Sequence, residues 1–332
     1  VLLSYSKIWL YNQLIHSDVP EDAYLSNELE RYFPAAIRRR YADLLGAHPL
    51  KREIIATATT NSLVNRMGPV FALRAQEDTG AGLGAIARAF AIARESTKMR
   101  DLWADIEGLD NQVAAGVQYE MTYETSRTLR HATYWVLAHR ARDLDVERAV
   151  ARLQPGLGEL ADAAPRLVSG RLAERIAAKR RRYLEARVPE RIATRVATLE
   201  LLNSGLDVVD VATARRLPIV ATAQAYLHLG AVLDLDWLRL QIESLGATGH
   251  WQSVARGTLR DNLYALHRSV TDSILARARR GDPKRAVDAW LAERGAAHEH
   301  LRRTLADMAS GATPDFATLS VALQSLRRLA GQ

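Results

Sequence analysis

The 332-residue chain contains no cysteine. That absence removes disulfide frameworks, thiolate zinc sites, iron–sulfur clusters and thiol nucleophiles together, and it suits a reducing, cytoplasmic setting. Lysine is scarce: Lys7, Lys51, Lys98, Lys179 and Lys284 are the only five, so arginine supplies forty of the 45 basic residues. Long hydrophobic runs are missing too. The most apolar stretch, Val1 to Ile15, has ten apolar residues in fifteen, interrupted by Ser4, Ser6, Lys7, Asn12 and Gln13. It is too short and too polar to cross a bilayer, and it lacks the charged start and small-residue cleavage site of a signal peptide. Strand signals are absent as well: β-branched residues never alternate cleanly with polar ones, and no Asn-Gly or Asp-Gly turn occurs.

What is present reads as a helical protein. Apolar residues make up 48% and charged residues 25%, which excludes disordered, collagenous and coiled-coil compositions. A chain of this length buries roughly three quarters of the surface its unfolded form exposes, enough for one large domain or two ordinary ones. It opens without Met, in the middle of an apolar pattern, and so reads as a piece of a longer polypeptide. Leu259, Leu263, Leu266, Val270 and Ile274 lay one apolar stripe along a helix, with Arg260, Asp261, Arg268 and Asp272 directed away from it. Similar stripes run through 54–64, 86–93, 113–141, 172–183 and 237–245.

The expected fold is therefore all-α, a multi-helix bundle of about a dozen helices with short connections. Punctuation supports it. Asp282-Pro283 and Thr313-Pro314 place a capping side chain before a first-turn proline. His48-Pro49, Gly68-Pro69 and Leu217-Pro218 break one helix and start another, and Gly46, Gly246, Gly281 and Gly295 stand where helices stop. The segment 142–165 has the weakest periodicity, with Pro155, Gly156, Gly158 and Pro165 crowded together. It marks the expected boundary between two sub-bundles, residues 1–155 and 156–332.

Sites for chemistry are few. Gly80, Gly82 and Gly84 precede the helical run 85–94, but no strand leads into them and no Lys-Ser/Thr comes after, so they read as a helix–helix turn, not a phosphate cradle. No His has a carboxylate three positions upstream, as di-iron bundles require. His298 and His300 are two apart, about 200° around a helix, and cannot share an ion. Gly-x-Ser-x-Gly elbows are absent. The residues carry no catalytic, cofactor-binding or metal-ligating assignment.

Charge is more informative. Residues 166–195 hold ten basic and three acidic side chains, which is the whole net charge of +7; the other 302 residues balance. Within that window Arg171, Arg175, Lys179 and Arg182 form one helical stripe beside Leu172, Ile176 and Tyr183. It reads first as a solvated, partly salt-bridged face. A surface docking an acidic partner or nucleic acid is the alternative, though neither a docking motif nor interleaved aromatics for base stacking is present. Asn61, Asn65 and Arg66 on one helix, with Asp110, Asn111 and Gln112 at a helix junction, are the unusual polar clusters, read as capping or inter-helix networks. Trp9, Tyr11, Tyr119 and Tyr123 read as core.

Several longer strings carry a resemblance. The opening VLLSYSKIWLY, KREIIATATTNSLVNRMGPVFALRAQEDTGA (Lys51 to Ala81), LWADIEGLDNQV (Leu102 to Val113), AYLHLGAVLDLDWLRLQIESL (Ala225 to Leu245), HWQSVARGTLRDNLYALHRSV (His250 to Val270) and the terminal TLSVALQSLRRLA resemble, in order, the C-terminal helical region of the large bacterial NAD-specific glutamate dehydrogenases. The resemblance implies a parent enzyme that converts L-glutamate to 2-oxoglutarate and ammonia while reducing NAD. It also implies that the catalytic residues lie upstream. None of the five lysines has a Gly-Gly-x-Lys-Gly-Gly context, and no strand–glycine–helix unit for NAD is found. The same resemblance implies that these 332 residues are a non-catalytic region with no cofactor of its own. Its expected role is to support an upstream catalytic domain of the same chain in a cytoplasmic homo-oligomer, away from membranes and nucleic acid.

Overall fold

Apolar periodicity near 3.6 becomes helix throughout the residues that the computed structural model describes, namely 1–140, 144–246, 248–278, 282–311 and 313–331. Among these there is no strand. The helices are α1 (Leu2–Ile15), α2 (Asn27–Tyr32), α3 (Ala35–Arg40), α4 (Ala42–Leu45), α5 (Lys51–Met67), α6 (Phe71–Thr79), α7 (Leu83–Ser96), α8 (Met99–Glu107), α9 (Ala115–Arg140) and α10 (Val146–Leu167). They continue as α11 (Gly170–Glu185), α12 (Glu190–Ala197), α13 (Leu199–Arg215), α14 (Ile219–Val232), α15 (Leu235–Ser244), α16 (His250–Arg277), α17 (Pro283–Ala292), α18 (Gly295–Ser310) and α19 (Phe316–Ala330). A 3₁₀ turn, Val19–Glu21, comes after α1. Arg142, Ala141 and Gly281, expected as boundary, stripe and stop residues, lie outside the described residues.

The helices outnumber the expected dozen because glycine and proline are not the only breaks. Lys98, Asn111, Arg187, Arg216 and Asp234 all have left-handed backbone, with φ between 50° and 65°. Asn111 comes after Gly108, the C-cap of α8; the other four interrupt or end a helical stretch without a glycine to announce it. Other signals are displaced. Asp282 caps α17 through the Lys284 N–H, as its position before Pro283 suggests. At the last helix, however, the cap is Asp315, not Thr313: Oδ1 of Asp315 accepts from the Thr318 N–H and the Thr318 hydroxyl accepts from the Asp315 N–H, both at 2.8 Å. Gly295 opens α18 instead of stopping a helix.

Segment 146–167 differs most from its sequence pattern. It is one 22-residue helix that runs through Pro155, Gly156, Gly158 and Pro165. Leu153, Leu157, Leu160 and Leu167 on it are all buried. Their burial, about 1.5–3 kcal/mol apiece, offsets the cost of about 3 kcal/mol for each interior proline. Gly156 is a contact residue, not a break: a Cβ there would stand 2.8 Å from Cγ2 of Val209 on α13.

The described chain forms two compact units, residues 1–155 with 182–203, and residues 156–181 with 204–332. In the first, α7 is the central helix. Ile86, Ala87, Ala89, Phe90, Ala91, Ile92 and Ala93 on it are all at most 1% exposed, the pattern of a helix surrounded on every side. The second unit is built on α16, whose stripe Leu259, Leu263, Leu266, Val270 and Ile274 is buried as expected, against apolar residues of α14, α15, α17 and α19. Arg268 departs from the expected outward direction; it reaches Asp210 and lies 3.9 Å from Asp207.

Candidate functional site

The basic stripe on α11 is met by carboxylates of the chain itself. In the second unit, Arg171 lies 3.4 Å from Asp234. Nη2 of Arg175 donates to Oδ1 of Asp236 at 2.9 Å, its Nη1 bonds the other oxygen, and Arg239 adds a third bond at 3.0 Å. Burial opposes ionisation of Asp236, but the Arg175 hydrogen bonds and the Arg239 charge hold its carboxyl below the ordinary value. At Asp234 burial wins over Arg171 and the carboxyl is raised. Lys179 is also engaged. In the first unit, Arg182 pairs with Glu120, and Arg191 and Arg195 converge on Asp105 at 2.6 and 3.5 Å.

The second unit also holds a cavity of about 260 Å³. Its apolar wall includes Val168, Leu172, Ala231 and Leu263, and its polar side includes Tyr226 and His267. His267 sits among the buried leucines of α16 and is 9% exposed. Its Nε2 donates to the Tyr226 carbonyl at 2.8 Å, and its ring stacks on the Tyr226 ring with centroids 3.5 Å apart. The ring lies close over Gly230, where a Cβ would stand 3.0 Å from Cε1 of His267. Burial pushes the His267 pKa down to about 4, so the ring is neutral near pH 7 and its N–H is taken by backbone. The Tyr226 hydroxyl donates to Asp207 at 3.1 Å, and burial raises its pKa well above the ordinary value. Both groups are fixed as neutral packing elements, a poor arrangement for proton transfer.

In the first unit, α2, α5 and α8 enclose an open polar cleft of about 490 Å³. Asn61, Asn65 and Arg66 come together here, on the face of α5 that their spacing dictates. Arg66 pairs with Glu107 at 2.6 Å and lies over the Trp103 ring, 4.3 Å from its centroid. Behind the cleft Arg94 of α7, 2% exposed, donates to Glu28 at 2.7 Å and to Ser62 at 2.8 Å. Burial lowers the Arg94 pKa, opposed chiefly by the Glu28 charge. Arg100 bonds both Glu28 and Glu95, while Arg31 approaches the same two carboxylates only at 3.6 and 3.8 Å.

Other sequence candidates fall elsewhere. Asp110, Asn111 and Gln112 are exposed in the turn after α8, where Asn111 is left-handed and the Gln112 amide donates to the Gly108 carbonyl. Gly80, left-handed, closes α6, and Gly82 caps α7. Glu299, between His298 and His300, is taken by Arg302 at 2.8 Å. Tyr119 and Tyr123 are not core: they are 76% and 65% exposed, because they project from α9 on the side away from its buried Met121, Thr125 and Leu129. Trp9 and Tyr11 are half-buried. Sequence reasoning does not find Arg94 or His267. Their only signal is position, a polar residue set inside an otherwise apolar helical face. Among the described residues no group of three His, Asp or Glu side chains is placed to hold a metal ion, and no helix is long and apolar enough to cross a membrane.

Known proteins are similar to this chain along nearly its whole length. A family model described as "Glutamate dehydrogenase, C-terminal" matches residues 1–328. Proteins named NAD-specific glutamate dehydrogenase from Halomonas elongata and Pseudomonas aeruginosa are each 35% identical to the chain over 333 aligned residues. One of the same name from Mycobacterium tuberculosis is 28% identical over 339. All three alignments cover 99% of this chain and 20% of the relative, so the chain spans about a fifth of the length of these curated relatives.

Proposed function

The chain belongs to the glutamate dehydrogenase C-terminal family, and on that premise we propose that it is the non-catalytic helical C-terminal region of an NAD-dependent glutamate dehydrogenase. The reaction assigned to the whole polypeptide is conversion of L-glutamate to 2-oxoglutarate and ammonia, with NAD reduced to NADH, in the cytoplasm. Residues 1–332 support the upstream catalytic portion and help to build a homo-oligomer. The observation that carries this reading is a match running over residues 1–328 within relatives of which the chain covers only 20%.

Surface character supports a packing role. On α1 the side chains of Leu2, Tyr5 and Ile8 are 61%, 69% and 58% exposed, an apolar face of the kind that marks an interaction surface. We assign it to contact with the remainder of the enzyme. The α11 stripe is a weaker docking surface, for an acidic protein or for nucleic acid, because Asp234, Asp236 and Glu120 already face Arg171, Arg175 and Arg182.

The test is association in trans. The upstream polypeptide, produced separately, is mixed with residues 1–332 carrying either the native α1 or Ile8→Asp. Co-elution of the native pair, weakened by Ile8→Asp, is the expected result. Separate elution, with full assembly of the truncated enzyme, overturns the support role.

A further inference from the structure

We propose that the cleft between α2, α5 and α8 binds a small oxyanion, a carboxylate or a phosphate, through the guanidinium groups of Arg31, Arg66 and Arg100 and the side-chain amides of Asn61 and Asn65. Such a site is independent of the role assigned to the chain within the enzyme, since it rests on the cleft's own charge and geometry.

Four guanidinium groups, those of Arg31, Arg66, Arg94 and Arg100, face three carboxylates, those of Glu28, Glu95 and Glu107. The set carries one positive charge in excess. Part of it is deep: Glu28 and Arg94 are 5% and 2% exposed. That buried pair is matched, so the surplus charge falls on the partly exposed Arg31, Arg66 and Arg100 at the mouth of the cleft, where an anion can reach it. Arg31 is the loosest of the four, 3.6 and 3.8 Å from its carboxylates, and so the readiest to turn to a ligand. Arg66 is held in place by the Trp103 face, 4.3 Å from the ring centroid, with one nitrogen on Glu107. Arg66 lines the cleft, and a planar guanidinium of this kind suits carboxylate and phosphate.

Two amides supply the neutral donors. Asn61 and Asn65, one helical turn apart on α5, line the cleft and make no side-chain hydrogen bond within the described residues. At about 490 Å³ the space lies within the roughly 300–1,000 Å³ range of small-molecule sites. Nucleic acid does not fit this arrangement, because phosphate tracking needs an extended basic surface and the cleft is local.

Calorimetric titration of the full-length protein with inorganic phosphate, and separately with succinate, tests the proposal against sodium chloride at equal ionic strength. Saturable binding of at least one probe is expected, and the tighter of the two names the class. Asn65→Asp and Asn61→Asp place a negative charge in the cleft with little change of volume and are expected to weaken binding about tenfold or more. Glu107→Gln removes a carboxylate that is 59% exposed and competes for Arg66, while the Gln amide oxygen can still accept from that guanidinium and the Trp103 face still holds it, so binding at least as tight as wild type is expected. No saturable binding of either anion overturns the site. So does undiminished binding by both aspartate variants, or weakened binding by Glu107→Gln.

Discussion

His267 is neutral in the folded chain because burial lowers its pKa to about 4 from 6.5. A group depressed in this way takes up fewer protons folded than unfolded between those two values. Stability therefore reaches its full value above about pH 6.5 and falls as pH drops towards 4, by about 3 kcal/mol from this residue alone. Urea denaturation between pH 4 and 7 is expected to show that slope, flattened in His267→Gln. Its neighbour is equally constrained. In Gly230→Ala the new Cβ meets the His267 ring at 3.0 Å, and that ring is already pressed on Tyr226, so the substitution is expected to cost about 1–3 kcal/mol. At Arg94 the issue is charge. Arg94→Leu leaves Glu28 and Glu95 without their most buried partner and is expected to lower stability by about 3–5 kcal/mol in denaturant titrations. None of the three is legible as special in the sequence. A histidine with no carboxylate at metal-binding spacing and one arginine among forty look ordinary until the helix faces are assigned.

At the scale of elements, cap chemistry separates the sequence reading from the structure. Both Asp-Pro and Thr-Pro are sound start signals, yet α17 uses Asp282 whereas α19 begins two residues after Pro314, at a box formed by Asp315 and Thr318. Asp315→Ala is expected to lower the melting temperature measurably, as loss of an N-cap acceptor does, and Thr313→Ala to leave it unchanged. The long stripe of α16 is fully readable, because five apolar residues at spacings of four and three leave one solution. Helix α10 is not. Proline and glycine suggest a break, while the burial that overrides them depends on what α13 brings to Gly156. Left-handed Lys98, Arg187, Arg216 and Asp234 hide several breaks for the opposite reason, since their side chains give no local warning.

At the scale of the molecule, periodicity establishes the all-α class but points to no activity, and the family comes from the match of residues 1–328 to the glutamate dehydrogenase C-terminal model. The basic window that holds the whole net charge proves to be a row of ion pairs at Arg171, Arg175 and Arg182, a pairing no sequence spacing encodes because the carboxylates come from about 60 residues away. The polar trio Asn61, Asn65 and Arg66 is visible as a cluster on one helix face, whereas Arg31, Arg100 and Trp103, which complete the cleft, are not. The role assigned to these residues implies a division of labour within a longer enzyme, with chemistry upstream and support in the helical region. Glutamate-dependent NADH production, measured for residues 1–332 alone and for the full-length polypeptide, tests that division most directly. Turnover by the full-length protein and none by residues 1–332 is the predicted result; glutamate-dependent NADH formation by residues 1–332 alone would contradict it.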